Sequence, residues 1–497
     1  MLKTSAVVAV IVVLGAGLLY QFGGVRVALD GSGMWPRFVS TGPDYDALEA
    51  DRAKQRELPP PPTVVAAPPP PASAASPVRP PTPASEVAAT PPTASAADDR
   101  PKATAHVDWP DFRGAHRDGR YEATVIRTDW PSEGLPRLWK QPIGQGYASF
   151  VVADGRAFTI EQRRDEEVVA AYDVETGREL WTDRWEGEFR ESMGGDGPRA
   201  TPTYHEGRVY ALGALGELRC LDALTGEVIW RRNIIEENGA RNLDWGMAAA
   251  PLVVDDTVVV LPGGPGGRSI VAYDRTTGAP VWSALDDRQA YTSPMLVTLG
   301  GERQILVVSA TRAVGLSPDA GRLLWAYPWP TDMGINAAQP VLVGDNRVFL
   351  SAGYGQGAAV FEVSRDEDRF VTRTIWRNNR MKNRFSSSVL HEGYLYGLDE
   401  AILACIDAAT GELKWKGGRY GYGQLVLAGD HLVVLTERGE VTLVRATPEG
   451  HVELAQFAAI EGKTWNHPVI TGGRLLVRNV REMAAFDLRP VPGPPGP

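Results

Sequence analysis

Short runs of apolar residues recur from about residue 106 to 490, and they determine the predicted secondary structure. In the runs 208–212 and 217–221, apolar and polar side chains partly alternate, and the turn residues Leu215 and Gly216 separate the two runs. Runs of this period, joined by turn residues, are typical of antiparallel β-strands. The pattern therefore predicts an all-β domain over 106–490.

A motif with Asp, Gly and Trp at fixed spacing is repeated along this domain. Four well-matched copies are Asp173, Gly177 and Trp181; Asp222, Gly226 and Trp230; Asp274, Gly278 and Trp282; and Asp407, Gly411 and Trp415. Looser copies end at Trp325, at Trp376 and near Leu454, while Trp139 and Asp487 stand at the two ends of the series. Repeats of this length predict the blades of a β-propeller.

Each motif residue has an expected role at the junction between blades. The Asp carboxylate can bond backbone amides of the following turn, the Gly can adopt a positive φ, and the Trp can pack between neighbouring blades. Eight such positions predict an eight-bladed β-propeller, in which the strand around Trp139 completes the last blade and closes the ring. Seven blades is the alternative if the unit after Ala337 is not a true blade.

The repeats resemble the PQQ-like (pyrroloquinoline-quinone-like) β-propeller repeat family over about residues 108–488. The segment with Trp109, Arg113, Gly114, Arg117 and Gly119 also resembles the opening motif of a poorly characterised bacterial branch of that family. Members of the family include quinoprotein dehydrogenases and the lipoprotein subunit of the outer-membrane assembly machine. The resemblance therefore implies either a quinone-dependent enzyme or a noncatalytic scaffold.

The sequence departs from both kinds of relative. A quinoprotein dehydrogenase implies bound PQQ, a calcium ion with oxygen ligands, a catalytic Asp and commonly a vicinal cysteine pair, but Cys220 and Cys405 are far apart. Acidic residues near strand starts, such as Asp244 and Glu461, do not form a recognisable calcium-plus-base set. The lipoprotein implies a lipidated N-terminal cysteine, and no cysteine precedes Cys220. We predict no catalytic residue, no metal site and no cofactor, with PQQ and calcium as the alternative.

The starts of the innermost strands face the central channel of a propeller, and they supply the candidate binding residues. These are Arg199, Trp245, Tyr291, Asn336, Lys382, Arg384, Trp465 and Asn466. Guanidinium groups suit carboxylates and aromatic rings suit stacking, so one hypothesis is a pocket for an anionic, planar ligand. The alternative is that these residues cap strand ends and pack between blades.

The N-terminal fifth of the chain has a different organisation. Residues 1–4 are predicted to be a cytoplasmic stub, and the almost uncharged stretch 5–22 a transmembrane signal-anchor, with a cleaved signal peptide as the alternative. A juxtamembrane segment, 23–58, precedes a Pro- and Ala-rich disordered linker, 59–105, long enough to hold the propeller far from the bilayer. Residues 491–497 are a tail.

The net charge and the cysteine positions exclude some classes of function and of covalent cross-link. The net charge of -10 and the absence of a long basic run exclude an electrostatic site for nucleic acid. Cys220 and Cys405 fall in opposite blades, too far apart for a disulfide. We predict a propeller tethered to the bacterial inner membrane and exposed in the periplasm, where it binds an envelope protein or a small ligand without catalysis. A PQQ-dependent dehydrogenase and a sensor or carbohydrate binder are the alternatives.

Overall fold

The computed structural model describes residues 26–28, 37–39, 45–58 and 108–491. The predicted stub, the predicted signal-anchor and the predicted linker at 59–105 lie outside these ranges, as do residues 492–497. Within the ranges, no helix has the length and apolar character needed to cross a membrane.

The elements that precede the ring are few. They are β1 (Arg26–Ala28), β2 (Arg37–Val39), α1 (Tyr45–Glu57), β3 (Arg120–Tyr121) and β4 (Arg137–Pro142). β1 and β2 pair with each other, whereas β3 and β4 join blades of the ring.

Eight antiparallel sheets form the blades of a propeller, and each blade takes its strands in chain order from the channel outward. Blade 1 has β5 (Val151–Ala153), β6 (Arg156–Arg163), β7 (Glu166–Asp173) and β8 (Glu179–Glu186), and blade 2 has β9 (Thr203–His205), β10 (Arg208–Leu212), β11 (Glu217–Asp222) and β12 (Val228–Asn233). Blade 3 has β13 (Leu252–Val254), β14 (Thr257–Val260), β15 (Ile270–Asp274) and β16 (Pro280–Ala284), and blade 4 has β17 (Met295–Leu299), β18 (Glu302–Val308), β19 (Arg312–Leu316) and β20 (Leu323–Pro328).

The other half of the ring repeats this arrangement. Blade 5 has β21 (Val341–Val343), β22 (Arg347–Ala352), β23 (Gly357–Asp366) and β24 (Arg369–Asn378), and blade 6 has β25 (Val389–His391), β26 (Tyr394–Asp399), β27 (Ile402–Asp407) and β28 (Leu413–Arg419). Blade 7 has β29 (Gln424–Ala428), β30 (His431–Leu435), β31 (Glu440–Arg445) and β32 (Glu453–Ala458), and blade 8 has β33 (Val469–Thr471), β34 (Arg474–Arg478) and β35 (Glu482–Asp487), completed by β4. A short helix, α2 (Ile234–Glu237), and a 3-10 turn (Asp332–Gly334) lie between blades.

The ring closes as the sequence predicts. β4 pairs antiparallel with β35, with Trp139 opposite Ala485, so the two ends of the domain share blade 8. This arrangement confirms eight blades, and the seven-blade alternative is wrong because β21 to β24 form a complete sheet. Cys220 and Cys405 are buried free thiols in blades 2 and 6.

The middle strands of each blade are buried on both faces because neighbouring blades cover them. All four apolar residues that follow Arg208 in β10 are buried, and the same is true after His431 in β30. An alternating pattern of burial remains in outermost strands such as β28 and in the innermost strand β17. The apolar runs of the sequence therefore mark buried strands, and weak alternation is the consequence of burial on two sides.

The repeated motif joins each blade to the next. Asp222 accepts hydrogen bonds from the backbone N–H of Thr225, at 2.8 Å, and from its hydroxyl, at 3.0 Å, which fixes the turn. The Trp181 indole of blade 1 donates to the Ala223 carbonyl of this turn at 3.2 Å, and its ring covers Gly226. Equivalent Trp and Gly pairs are Trp139 with Gly177, Trp230 with Gly278, Trp282 with Gly321 and Trp376 with Gly411.

Trp415 and Trp325 lack this glycine contact. Trp415 still donates to the Thr447 carbonyl of the blade 7 turn at 2.7 Å, whereas Trp325 meets blade 5, which has no glycine in its turn. The Trp325 indole donates to Gln304 of its own blade at 2.5 Å, and its ring meets Phe361 of blade 5 edge-on. Tyr327 stacks on the same phenylalanine with ring centroids 4.0 Å apart. Aromatic stacking at this junction thus takes the place of the motif.

The Trp and Gly contact gives a stability prediction that has an internal control. Gly226 and Gly207 both have positive φ, +79° and +77°, but a Cβ on Gly226 would lie 2.6 Å from the Trp181 ring, whereas nothing lies within 4 Å of one on Gly207. We expect Gly207→Ala to lower the free energy of unfolding by about 1 kcal/mol and Gly226→Ala by roughly 2 kcal/mol more. Urea titrations followed by tryptophan fluorescence measure both, and equal losses would contradict the docking role.

The opening segment, residues 108–121, crosses the central channel and plugs it. Trp109 exchanges two backbone hydrogen bonds with Val152 of blade 1, and β3 pairs in parallel with β29 of blade 7. Between these ends, the buried Arg117 donates to backbone carbonyls at the starts of the innermost strands of blades 3 and 4, and the buried Arg113 donates to the Ser388 carbonyl of blade 6 at 2.9 Å. We call residues 108–121 the plug.

Candidate functional site

A funnel of about 290 Å³ opens on the face where the innermost strands begin, and the plug forms its floor. Its lining is Phe112, Tyr147, Met193, Gly194, Arg199, Thr201, Trp245, Ala248, Tyr291, Ile335, Ala337, Tyr354, Arg384, Phe385, Tyr422, Gln424, Trp465 and His467. Eight of these residues are Phe, Tyr or Trp. The funnel is therefore a blind cup with aromatic walls.

One position of the repeat builds most of the wall. The residue four places before the innermost strand lines the funnel in seven of the eight blades. These residues are Tyr147, Arg199, Ala248, Tyr291, Ala337, Phe385 and Trp465. In blade 7, where β29 begins two residues nearer to the funnel, Tyr422 takes this place. The eightfold repeat thus directs one side chain per blade toward the axis.

The eight residues proposed from the sequence occupy different places in the structure. Five of them line the funnel: Arg199, Trp245, Tyr291, Arg384 and Trp465. Asn336 and Asn466 are buried behind the wall, where their side-chain amides donate to the Ser309 carbonyl at 2.8 Å and the Ala148 carbonyl at 2.9 Å. Lys382 is not part of the lining, and its ammonium lies 3.6 Å from the Asp399 carboxylate.

Arg199 is held firmly at the blade 2 side of the funnel. Its terminal nitrogens donate to the carbonyls of Gly197, at 2.6 Å, and Gly195, at 2.7 Å. The guanidinium also lies over the rings of Tyr147 and Phe189, with its central carbon 5.3 and 5.0 Å from the centroids. Burial lowers the pKa of Arg199, although an arginine remains charged at neutral pH.

Arg384 lies on the opposite side, because blades 2 and 6 are four blades apart in a ring of eight. Its guanidinium lies between the rings of Tyr354 and Tyr422, 5.1 and 4.8 Å from their centroids, and its Nε is 3.0 Å from the Glu400 carboxylate. A third cation, Lys463, lies 4.1 Å from the Trp465 ring centroid. The cations of the funnel are therefore stacked on its aromatic rings.

The remaining rings contact each other around the wall. Trp245 and Tyr291 meet edge-on at 5.8 Å, and Phe385 lies 4.8 Å from Trp465. Burial, with the nearby Asp244 carboxylate, raises the pKa of Tyr291 to about 12, so this hydroxyl is neutral at physiological pH. The rings hold each other in place and present a preorganised apolar surface.

The floor combines one residue of the plug with one of blade 8. Phe112 meets the His467 ring edge-on at 5.8 Å. Burial lowers the pKa of His467 well below its usual range, and the positive charge of Arg113 lowers it further. His467 is consequently a neutral, buried ring that closes the bottom of the cup.

The carboxylates near the funnel already have partners. Glu437 accepts from the Trp465 indole at 2.9 Å and from the backbone N–H of Tyr422 at 3.2 Å. Glu191 accepts from the backbone N–H of Met193 at 2.9 Å, and Glu400 is paired with Arg384. These contacts hold the wall of the funnel in place.

The residues of the funnel do not fit a calcium-bound quinone. In the part of the chain that the structure describes, no three His, Cys, Asp or Glu side chains cluster closely enough to hold a metal ion. Both arginines of the lining have partners within the protein, whereas PQQ carries three carboxylates. No step of a quinone reaction is therefore derived from this site.

Several lining residues were not among the sequence candidates. Tyr147 and Phe385 occupy the same repeat position as Arg199 and Tyr291, so counting back from each innermost strand would have found them. Tyr354 comes instead from the hairpin between β22 and β23. Phe112 belongs to the plug, and no periodic signal points to it.

Comparisons with known proteins agree with this architecture. A family model described as outer membrane protein assembly factor BamB matches residues 164–417. The outer membrane protein assembly factor BamB of Burkholderia pseudomallei is 23% identical over an alignment 371 residues long, which covers 65% of this chain and 92% of that protein.

Solved structures with the same fold include both kinds of relative. Quinohemoprotein alcohol dehydrogenase from Comamonas testosteroni has a TM-score of 0.56 and 14% identity, covering 78% of this chain and 82% of that one. BamB from Moraxella catarrhalis has a TM-score of 0.50 and 17% identity, covering 71% and 97%. Similarity at these identities shows the fold alone. Because the family model covers just over half of the sequence, the chain belongs to the PQQ-like β-propeller family described as outer membrane protein assembly factor BamB.

Proposed function

We propose that this chain is a noncatalytic binding propeller of the bacterial cell envelope, and that a segment of a partner protein enters the funnel. The stretch 5–22 would anchor the chain in the inner membrane and leave the propeller in the periplasm. The name of the matched family, an assembly factor, supports a role in which the propeller holds other proteins.

The aromatic lining of the funnel is the main observation that supports this proposal. Aromatic rings offer a large contact area at a small entropic cost, and they are enriched where proteins bind each other. Trp245, Tyr291, Phe385 and Trp465 all line the same funnel, so an apolar side chain from a partner that enters it can contact these rings.

A carbohydrate fits the funnel less well than an apolar segment does. Sugars need side-chain donors and acceptors around an aromatic platform, but two of the polar side chains in the lining already bond to the protein itself. Gln424 donates to the Phe385 carbonyl at 3.0 Å, and the Thr201 hydroxyl accepts from the backbone N–H of Ser149 at 2.9 Å. We also propose that the protein works without PQQ or calcium, because the donor set described above does not suit them.

Photo-crosslinking in intact cells tests the binding role. Met193 is 60% exposed at the rim of the funnel, and Leu224 is 64% exposed on a motif turn outside it. We expect a photoreactive residue at position 193 to crosslink one discrete envelope protein, and Trp245→Ala to reduce that crosslink about tenfold.

Two controls accompany this experiment. Trp245→Phe retains an aromatic ring and should keep most of the crosslink, whereas a photoreactive residue at position 224 should give none to the same protein. If positions 193 and 224 crosslink the same proteins equally, or if Trp245→Ala leaves the product unchanged, the funnel is not the binding site.

A further inference from the structure

The helix α1 is docked on the outside of the ring, at the seam where blades 8 and 1 meet. Its Arg52 is fully buried, lies over the Tyr172 ring of blade 1, and donates to the Pro142 carbonyl of blade 8. Leu48, on the same side of the helix, is 2% exposed. One helix therefore contacts both blades that the closing strand β4 holds together.

Ion pairs extend this contact along the helix. Glu49 lies between two arginines of blade 1, 3.1 Å from Arg163 and 2.9 Å from Arg184. Its burial opposes ionisation, but hydrogen bonds and charge from Arg184 and Arg163 hold the pKa of Glu49 below its usual value. The carboxylate therefore stays charged and paired at neutral pH.

Glu179 of blade 1 is the main acidic residue on the propeller side of this contact. Its carboxylate is fully buried and lies 2.6 Å from Arg163 and 2.9 Å from Arg56 of the helix. Gln55 accepts from the backbone N–H of Glu179 at 3.0 Å. A buried carboxylate is strongly destabilising without its cations, so α1 supplies charges that this blade needs.

The described segments on either side of residues 59–107 both contact blade 1. Arg178 of blade 1 donates to the carbonyl of Leu58, the last described residue after α1. Where the description resumes, Trp109 is bonded to Val152 of the same blade at 2.7 and 2.8 Å. The proline-rich stretch thus leaves and rejoins the propeller at one blade.

We infer that residues 45–58, which we call the clasp, pack on the propeller as part of its fold. The proline-rich stretch then connects the clasp to the plug and is not the segment that links the propeller to the membrane. In the anchored chain proposed above, residues 23–44 would then connect the membrane to the ring. A fully extended chain of this length reaches at most roughly 75 Å, and the pairing of β1 with β2 makes the reach of residues 23–44 shorter. The clasp itself does not depend on the binding function of the funnel, so either can fail without the other.

Hydrogen exchange of the full-length protein in detergent tests the clasp. An isolated helix of this length is marginal in water, so slow amide exchange in 45–57 reports docking. We expect these amides to exchange about 100-fold more slowly than in a free peptide. Arg52→Ala should reduce this protection about tenfold or more, whereas Lys54→Ala, at an exposed position on the same helix, should leave it unchanged.

A cut in the proline-rich stretch gives a second readout. With a protease site inserted between Pro81 and Thr82, the cleaved N-terminal fragment should co-elute with the propeller in the parent and in Lys54→Ala, and separate in Arg52→Ala. Protection of β26 in blade 6 should be the same in all three proteins, which shows that the ring stays folded. Free-peptide exchange rates in 45–57 of the uncut parent would overturn the inference.

Discussion

Replacing Arg117 with methionine should lower the free energy of unfolding by about 3 to 5 kcal/mol, because the guanidinium joins the plug to three blades. It donates to the Pro294 carbonyl at 2.8 Å, to the Thr203 hydroxyl at 3.2 Å and to the Asp111 carboxylate at 2.6 Å. Methionine fills a similar volume but leaves these acceptors unpaired. Urea unfolding of the two proteins measures the loss.

The partly buried Asp111 explains why the loss should be large. Burial raises the pKa of Asp111 despite the neighbouring Arg117, so the carboxylate depends on that cation. Adding Asp111→Asn to Arg117→Met should therefore recover part of the stability, as expected for coupled partners. Arg137→Met, at an exposed position of β4, is the control and should change the free energy by less than about 0.5 kcal/mol. A similar small change for Arg117→Met would contradict the plug's role.

Glu167 should make the stability of the protein fall as the pH rises from about 5 to 8. Its carboxylate is fully buried between blades 1 and 2, where it accepts from the backbone N–H of Ala214 at 2.6 Å and from the Trp185 indole at 2.9 Å. Burial raises the pKa of Glu167 to about 7, compared with 4.5 for an ordinary glutamate. The folded state thus holds a proton that the unfolded chain has released, and stability is lost as the pH rises through the folded pKa.

The size of the effect follows from the shift. A difference of this size between folded and unfolded pKa corresponds to about 3 kcal/mol. Glu167→Gln removes the titration, so the free energy of unfolding of the variant relative to the parent should rise by about 3 kcal/mol between pH 5 and pH 8. Glu227→Gln, at an exposed motif turn, should show the same difference from the parent at both pH values. A pH-independent difference for Glu167→Gln would show that this carboxylate is already ionised in the folded protein.

The repeat made the fold predictable from the sequence. Each Asp, Gly and Trp motif encodes a turn and a tryptophan that docks on the turn of the next blade, so the number of blades and the closing strand could be counted. Blade 5 was less certain because its motif is replaced by the stacking of Tyr327 on Phe361. That contact joins residues of two different blades, and no spacing within one repeat indicates it.

The site was predictable mainly where it follows the repeat, although Trp245 and Arg384, which stand at other positions, also line the funnel. Residues such as Arg199 and Trp465 line the funnel because they stand four places before an innermost strand. The plug could not be predicted, because Arg117 bonds mainly to backbone carbonyls, which any sequence provides. Asn336 was a candidate by position, but its side chain bonds the Ser309 carbonyl behind the wall. The sequence does not indicate whether a side chain at this position points into the funnel or behind its wall.

Calorimetric titration of the full-length protein tests the central claim most directly. The two titrants are the partner segment mapped by the crosslink from position 193, and PQQ with calcium, and the proteins are the parent, Trp245→Ala and Trp245→Phe. We expect saturable binding of the segment by the parent, weakened about tenfold or more by Trp245→Ala but not by Trp245→Phe, and no saturable heat with PQQ and calcium. Micromolar binding of PQQ with calcium, together with no heat from the segment, would contradict this claim and indicate a quinone-dependent enzyme.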